Sequence, residues 1–412
     1  MKKAVITGMG VVSPIGNDID TFWASIRAGK SGLGPITRFD ASEFDSKVAA
    51  EVKDFDPSVF MEKKDARKMA LFTQFAVAAS VQAWNQAALE DSNVDLERVA
   101  VILGNGIGGI EIFEESYKKL LSSGPSRMLP LTVPMMIGNE AAGNIAIHFG
   151  IKGPALTAVT ACASGTDALG QGLDMIRSGR ADVVVTGGTE GAISAFAVGS
   201  FCMLKALSTA YNDCPQKASR PFDAARDGFV IGEGAGIVIL ESEEHAKARG
   251  ATILAELAGY GASCDAYHIT APEPSGDGGA RAISLALKDA GLAPSAVAYY
   301  NAHGTSTQMN DPIETQMVKK AFGDHARNIK VSSTKSMTGH MIAAAGAVEA
   351  IVCALAIRDG FFPPTINLDK ADEACDLDCV PNVGVVGTID AAASASLGFG
   401  GHNACVVLRK YR

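Results

Sequence analysis

The run "VTACASGTDALGQGLDMIRSGRADVVVTGG", Val159 to Gly188, decides how the chain is read. Its last part, "ADVVVTGG", is a short β-branched stretch closed by glycines, the pattern of a buried strand. Before it, "CASGTDALGQGLDMIRSG" reads as an amphipathic helix that opens on small residues directly after another β-like run. The same alternation surrounds it. "AVITGM", "VAVILGNG" and "GIVILES" are strand-like, and "DTFWASIRAG" and "RKMALFTQFAVAASVQAWNQA" are helix-like. This is the mark of α/β layering.

After about Arg249 the pattern restarts. It runs through "TILAELAGYGA", a helix near "GGARAISLALKDAG", the strand "VAYYNAHG", a helix from "PIETQMVKKAFG", the strand "IKVSSTK", the helix "MIAAAGAVEAIVCALAIRDG" and closing strands "SASLGFGG" and "NACVVLRK". Two similar α/β halves, 1–251 and 252–412, point to an internal duplication. No low-complexity linker parts them, so they are expected to pack as one body.

With 412 residues, 47% of them hydrophobic, the chain can bury a large core. Its net charge of −9 argues against general binding to nucleic acid or a membrane surface. The N-terminal "MKKAVITGMGVVSPIG" is broken by Gly8, Gly10 and Pro14 and reads as a first strand, not a signal segment. No window approaches the roughly 18 apolar residues of a membrane span. The eight cysteines are scattered, and the one close pair, Cys375 and Cys379, lacks a matching second pair. Neither disulfides nor a zinc site are expected, which suggests a reducing, cytoplasmic setting.

Cys162 stands apart because it falls where a β-like run meets a helix start. Unsatisfied backbone N–H groups and the helix dipole there lower a thiol from its ordinary value of about 8.5. Ala163, Ser164 and Gly165 would let a carbonyl approach the sulfur and leave an N–H free for an oxyanion. A small buried hydrophobe is the alternative reading of this stretch alone. Two histidines, in "NAHGTST" (His303) and "STKSMTGHMIAAAGAVE" (His340), end β-like runs among Gly, Ser and Thr, where α/β folds build sites. His148, His245, His268 and His325 lie in polar or charged surroundings and read as solvated or structural.

In that order, "TACASG", "NAHGTST", "STKSMTGH" and the terminal "GFGGHN" resemble the signature of the β-ketoacyl-acyl carrier protein synthases, elongating condensing enzymes of the thiolase superfamily. "ASRPFDAARDGFVIGEGAG" and "CDAYHITAPEP" extend the resemblance over nearly the whole chain. It implies two βαβαβαββ halves in a five-layer αβαβα sandwich, dimerised through the first half, with acyl carrier protein as partner and no organic cofactor. It also implies a two-stage reaction. Cys162 takes an acyl group as a thioester, and malonyl carrier protein then loses carbon dioxide and attacks it, giving a 3-oxoacyl product two carbons longer.

By the same resemblance, His303 and His340 donate hydrogen bonds to the enolate formed by decarboxylation, and Lys335 supplies charge and orientation near His340. The backbone N–H groups of Cys162 and Phe399 form the oxyanion hole, and the Phe399 side chain gates the acyl chain. Thr305 and Thr307 bind the pantetheine arm, with Thr270 at the same tunnel. Ile107 sits beside the acyl pocket, as in the subtype that also handles long unsaturated chains. Its loop contains a formal G-x-G-x-x-G (Gly104, Gly106, Gly109), but no acidic residue ends a second strand about 20 residues on, so a dinucleotide site is not expected.

Carrier proteins are acidic, so the resemblance assigns docking to Lys63, Lys64, Arg67, Lys68, Arg127 and Lys205. One departure concerns a monovalent cation that the resemblance places near Asn301, Glu349 and Ser394. Where the family reads S-N-S, this chain reads Ser394, Ala395, Ser396, and Ala395 supplies no side-chain oxygen. Met341 and Ile342 replace smaller or leucine residues and are expected to alter the packing behind His340. A thiolase would need a second cysteine as base, whereas the closing loop offers Phe399, and Cys405 lies in a strand-like run. A non-catalytic partner subunit would lack the nucleophile.

Overall fold

In the computed structural model, which describes residues 2–90 and 92–412, the apolar runs form ten strands of one mixed sheet. In chain order they are β1 (Ala4–Val12), β2 (Val99–Gly104), β3 (Ala155–Ala158), β4 (Val183–Glu190), β5 (Gly234–Ser242), β6 (Ala255–Cys264), β7 (Tyr299–Asn301), β8 (Lys330–Ser332), β9 (Ala391–Gly398) and β10 (His402–Arg409). Their spatial order is β8-β7-β9-β10-β6-β1-β5-β4-β2-β3.

Parted between β6 and β1, this order is one pattern written twice. Counted within each half from the outer edge inward, it runs third, second, fourth, fifth, first. The senses repeat as well. The first three strands of each series are parallel, and the next two pairings are antiparallel. Antiparallel pairing of Ala4–Ile6 with Ala255–Leu257 makes the two half-sheets continuous.

Seven longer helices matter for the site: α1 (Leu71–Gln86), α2 (Ile110–Ser123), α3 (Glu140–Phe149), α4 (Ser164–Arg177), α5 (Asp277–Ala290), α6 (Asn310–Phe322) and α7 (Ala345–Asp359). The second half reads βαβαβαββ, and the first repeats it with two helices, α2 and α3, between β2 and β3. The largest core joins inner faces of both half-sheets (Ile102, Val184, Leu257, Val406) to Leu169 and Leu173 of α4 and Ile351 and Leu355 of α7. A second core packs α1 and α3 on the outside of the first half, and a third packs α5 and α6 on the outside of the second. The result is five layers, αβαβα. α7 is buried from Ala345 to Ile357 because apolar side chains surround its whole circumference, as a helix between two sheets requires.

The halves are also tied by polar contacts. Arg177 of α4 reaches Asp289 of α5 at 2.6 Å, and the Tyr260 hydroxyl donates to Asp167 at 2.6 Å. No helix among the described residues is long and apolar enough to cross a membrane.

Two local expectations change. The helix expected from Met341 starts at Ala345, after a tight turn (Ile342–Ala344) entered with Ile342 at φ +47°. Lys335 does not end a strand, because β8 stops at Ser332 and Lys335 opens a short buried helix, Lys335–Thr338.

Candidate active site

Cys162 does not begin α4. It sits in a single tight turn, Ala161–Ala163, just before it. Ala161 takes φ +51°, a left-handed conformation costing about 1–3 kcal/mol for a residue with a Cβ. Ser164 holds the turn, since its hydroxyl accepts from Thr160 N at 2.9 Å and donates to Ala161 O at 2.6 Å. Thr160 is anchored in turn by its hydroxyl to Asp167.

His303 follows β7, and Glu314 of α6 fixes its backbone. The carboxylate accepts from His303 N and Gly304 N, each at 2.7 Å, and from the Tyr300 hydroxyl at 3.0 Å. His340 follows Gly339, whose φ of +66° turns the chain out of the short helix. His340 then behaves as a strand residue against 230–232, donating its N–H to Val230 O at 2.7 Å and accepting from Gly232 N at 2.8 Å. The Phe229 ring meets the His340 ring edge-on, at 5.3 Å between centroids.

These loops bring three groups from two halves together. His340 Nε2 lies 3.1 Å from Cys162 Sγ, and the two imidazoles stand 5.2 Å apart at 88°. The backbone N–H groups of Cys162 and Phe399 lie close enough to the same sulfur to favour its anion. A glycine approach makes the junction possible. A Cβ on Gly165 would stand 2.5 Å from Ala343 O, so only glycine lets α4 meet the turn behind His340.

Burial dominates the electrostatics. The Cys162 thiol is pushed up to about 12, because desolvation and the Glu190 carboxylate outweigh Lys335 and the two amides. The expected helix-start thiolate is therefore not the resting state; a neutral thiol is. Both imidazoles lie well below their ordinary value, first through burial and then through Lys335, with His340 adding to the effect on His303. They are neutral near pH 7, and each leaves a buried Nδ1 without a partner. Lys335 is buried behind them in an ion pair with Glu349, whose carboxyl burial raises to about 7.

A cavity of about 420 Å³ opens over the sulfur. It gathers Cys162, His303, His340, Phe399, Ile107, Thr270, Thr305, Thr307 and Lys205. One side is apolar (Ile107, Phe201, Phe229, Ile342), and another carries Thr305 and Thr307, whose hydroxyls are 3.0 Å apart. Thr270 donates its N–H to His268 Nδ1 at 3.1 Å. Phe399 is 37% exposed in a loop where Gly400 and Gly401 take φ +89° and +76°. Lys63, Lys64, Arg67, Lys68 and Arg127 lie outside the cavity on exposed surface, with Lys64 paired to Glu62 and Lys68 to Asp65. Cys405 is fully buried in β10 and does not line the cavity.

Asn301 Oδ1, Glu349 Oε2 and Ser394 Oγ are buried without hydrogen-bond partners. Asn301 and Ser394 are cross-strand partners. Ala395 adds no side-chain oxygen to this group. One position along the strand, its side chain faces the other layer and packs with Ala393 and Cys405. Met341 is buried near Gly232 and Gly234, and Ile342 reaches the cavity wall.

Several contributors escape a reading of the sequence. Asp167 looks like an ordinary first-turn acid and Glu314 like an acid inside a helix, and Phe229 looks like a core aromatic. Glu190 lies at the end of β4 with no exposure, and burial raises its carboxyl to about 8. Only Glu190 carries a positional signal, since it ends a strand shortly after Gly187 and Gly188.

A duplicated five-layer α/β body with a thiol and two imidazoles at the junction of its halves has the thiolase-like architecture of ketosynthases. The chain belongs to the β-ketoacyl synthase family, whose N-terminal domain matches residues 1–246 and whose C-terminal domain matches 254–369. It is 50% identical over 409 residues to a 3-oxoacyl-[acyl-carrier-protein] synthase 2 of Coxiella burnetii, covering 99% of both chains. It is 49% identical over 411 residues to the protein of that name from Synechocystis, covering 100% of this chain and 99% of the relative. Among solved structures, the ishigamide ketosynthase/chain length factor superposes with a TM-score of 0.94 at 38% identity, with full coverage of both. A type II polyketide synthase ketosynthase, solved with its acyl-carrier protein, gives 0.91 at 37%, again with full coverage of both.

Proposed function

We propose that the protein elongates acyl chains on acyl carrier protein by decarboxylative condensation with malonyl carrier protein, releasing carbon dioxide and free carrier protein, in fatty acid synthesis. The observation that carries this reading is the 3.1 Å contact of Cys162 Sγ with His340 Nε2, beside a second neutral imidazole and close to two backbone N–H groups. The close relatives named 3-oxoacyl-[acyl-carrier-protein] synthase 2 support the same assignment.

In the first stage Cys162 Sγ attacks the acyl thioester carbonyl as its proton leaves it, with the His340 Nε2–H standing 3.1 Å from the sulfur as a donor. The amides of Cys162 and Phe399 hold the oxyanion, the carrier thiolate leaves, and the proton passes on to it. In the second stage the malonyl carboxylate departs as carbon dioxide, and its electron pair forms an enolate on the thioester oxygen. Neutral His303 and His340 donate hydrogen bonds to that oxygen. A neutral donor suits this task because burial makes it strong without adding a second charge near Lys335. The enolate carbon attacks acyl-Cys162, the same amides stabilise the tetrahedral oxyanion, and collapse returns Cys162, which takes up one proton.

Lys335 orients this group through Glu349 and its field. Thr305, Thr307 and Thr270 line the path of the pantetheine arm, Ile107 borders the acyl chain, and Phe399 gates it. Asn301, Glu349 and Ser394 offer three unpartnered buried oxygens that fit a monovalent cation, which when bound would neutralise charge behind the site. The exposed Lys63, Lys64, Arg67, Lys68, Arg127 and Lys205 receive the acidic carrier protein. The protein acts in the cytoplasm as a homodimer joined through the first half. Edge strand β3 supports this, with Leu156 and the following Val159 exposed, and Phe196, Met203 and Leu204 of the same half are exposed apolar side chains as well.

The test is turnover of acyl and radiolabelled malonyl carrier proteins. The wild type is expected to yield a 3-oxoacyl product two carbons longer and Cys162→Ala none. Absence of that product from the wild type overturns the reading.

A further inference from the structure

Glu190 is a fully buried acid beside the cavity with no basic partner among its contacts, and the two-stage reaction above gives it no role. Its carboxylate is filled instead by backbone and amide donors. Gly106 N donates to Oε2 at 3.1 Å, and Ile107 N and Asn105 Nδ2 donate to Oε1 at 3.4 and 3.3 Å. The Ala343 amide donates to it as well. Asn105 is fixed by a second bond from Nδ2 to Thr189 O at 2.9 Å.

The four donors come from two loops of different halves. One carries Ile107 on the apolar wall of the cavity. The other is the turn entered through left-handed Ile342, two residues after His340. An isoleucine at φ +47° is strained and persists only where its surroundings over-determine it. A side chain on Gly106 would meet Glu190 Oε2 at 2.8 Å, so the fit between carboxylate and loop is close.

We infer that Glu190 is a positioning residue for acyl-chain selectivity, a carboxylate clamp that holds the Ile107 wall against the turn behind His340 and so keeps the apolar side of the cavity open. Released from the clamp, Ile107 falls toward Phe201 and Ile342, which line the same cavity, and long acyl chains lose room that short ones do not need. The inference rests on the elongating activity proposed above.

The test compares, at about pH 9 where a carboxyl raised to about 8 is ionised, kcat/KM for a long-chain and a short-chain acyl carrier protein in the wild type, Glu190→Gln, Ile107→Ala and the double variant. A Gln amide turns an N–H₂ toward the backbone donors and breaks the clamp while keeping its size. Glu190→Gln is expected to lower the long-to-short ratio about tenfold, the scale a methylene-sized change in an apolar pocket produces. The shift is expected to vanish in the Ile107→Ala background. Equal loss on both substrates, an unchanged ratio, or the same shift without Ile107 would each overturn the clamp. If Glu190→Gln does not fold, Asn105→Ala, which removes one donor and keeps the carboxylate, is paired with Ile107→Ala under the same criteria. Failure of the wild type to elongate either substrate would instead sink the activity on which the clamp depends.

Discussion

At Cys162, burial and charge pull in opposite directions and burial prevails. With the thiol pushed up to about 12, the thiolate is scarce from about pH 7 to about 9.5 and rises about tenfold per pH unit. Alkylation of the free enzyme by iodoacetamide should climb through that whole range. A plateau near pH 7 would mean the sulfur is already ionised. The histidines are shifted downward, so they stay neutral below their ordinary value of about 6.5. Malonyl decarboxylation should therefore stay flat from pH 8 to 6, and an acid limb centred near 6.5 would contradict their burial. His303→Ala and His340→Ala should each cut carbon dioxide release by about 10²–10³, the scale of a lost oxyanion donor, while acyl transfer to Cys162, followed by intact mass, falls less. Lys335→Ala leaves Glu349 buried and unpaired, and should cost about 3–5 kcal/mol of stability, read by denaturant unfolding.

Among the elements, what can be read in the sequence follows burial. Strands such as β4 and β5 are buried on both faces, so they appear as unbroken apolar runs, and their helices stand out between them. The cysteine and both histidines are legible because short motifs carry them. The turn of Ala161–Ala163 is not, since its left-handed first residue is imposed by Ser164 and Asp167 and not by a glycine. The thiol's state escapes the sequence for a related reason. A helix start is a local feature, whereas the desolvation that overrides it comes from side chains brought in from far along the chain, such as Phe229 and Ile342. Gly165 is where that distance closes. Gly165→Ala should push Ala343 away, lower stability by about 1–3 kcal/mol as overpacking does, and slow acylation of Cys162 by parting it from His340.

For the whole molecule, the doubled strand order leaves two outer edges, β3 and β8, of which β3 shows Leu156 to solvent, 49% exposed, followed directly by Val159, 64% exposed. An unpaired edge of that kind calls for a partner strand. For the homodimer proposed above, Leu156→Asp should shift sedimentation velocity toward monomer, and an unchanged profile would contradict pairing through β3. The repeated topology also explains why no linker is visible in the chain. The halves share an inner layer, α4 from one and α7 from the other, and neither has a complete interior without its counterpart.

The two halves divide the labour of one reaction between them. The sulfur belongs to the first and both imidazoles to the second, so a slip of even an ångström along their common boundary would pull the reacting groups out of register. Catalytic rate in this molecule is thus a measure of how faithfully an ancient pair of copies stays in step.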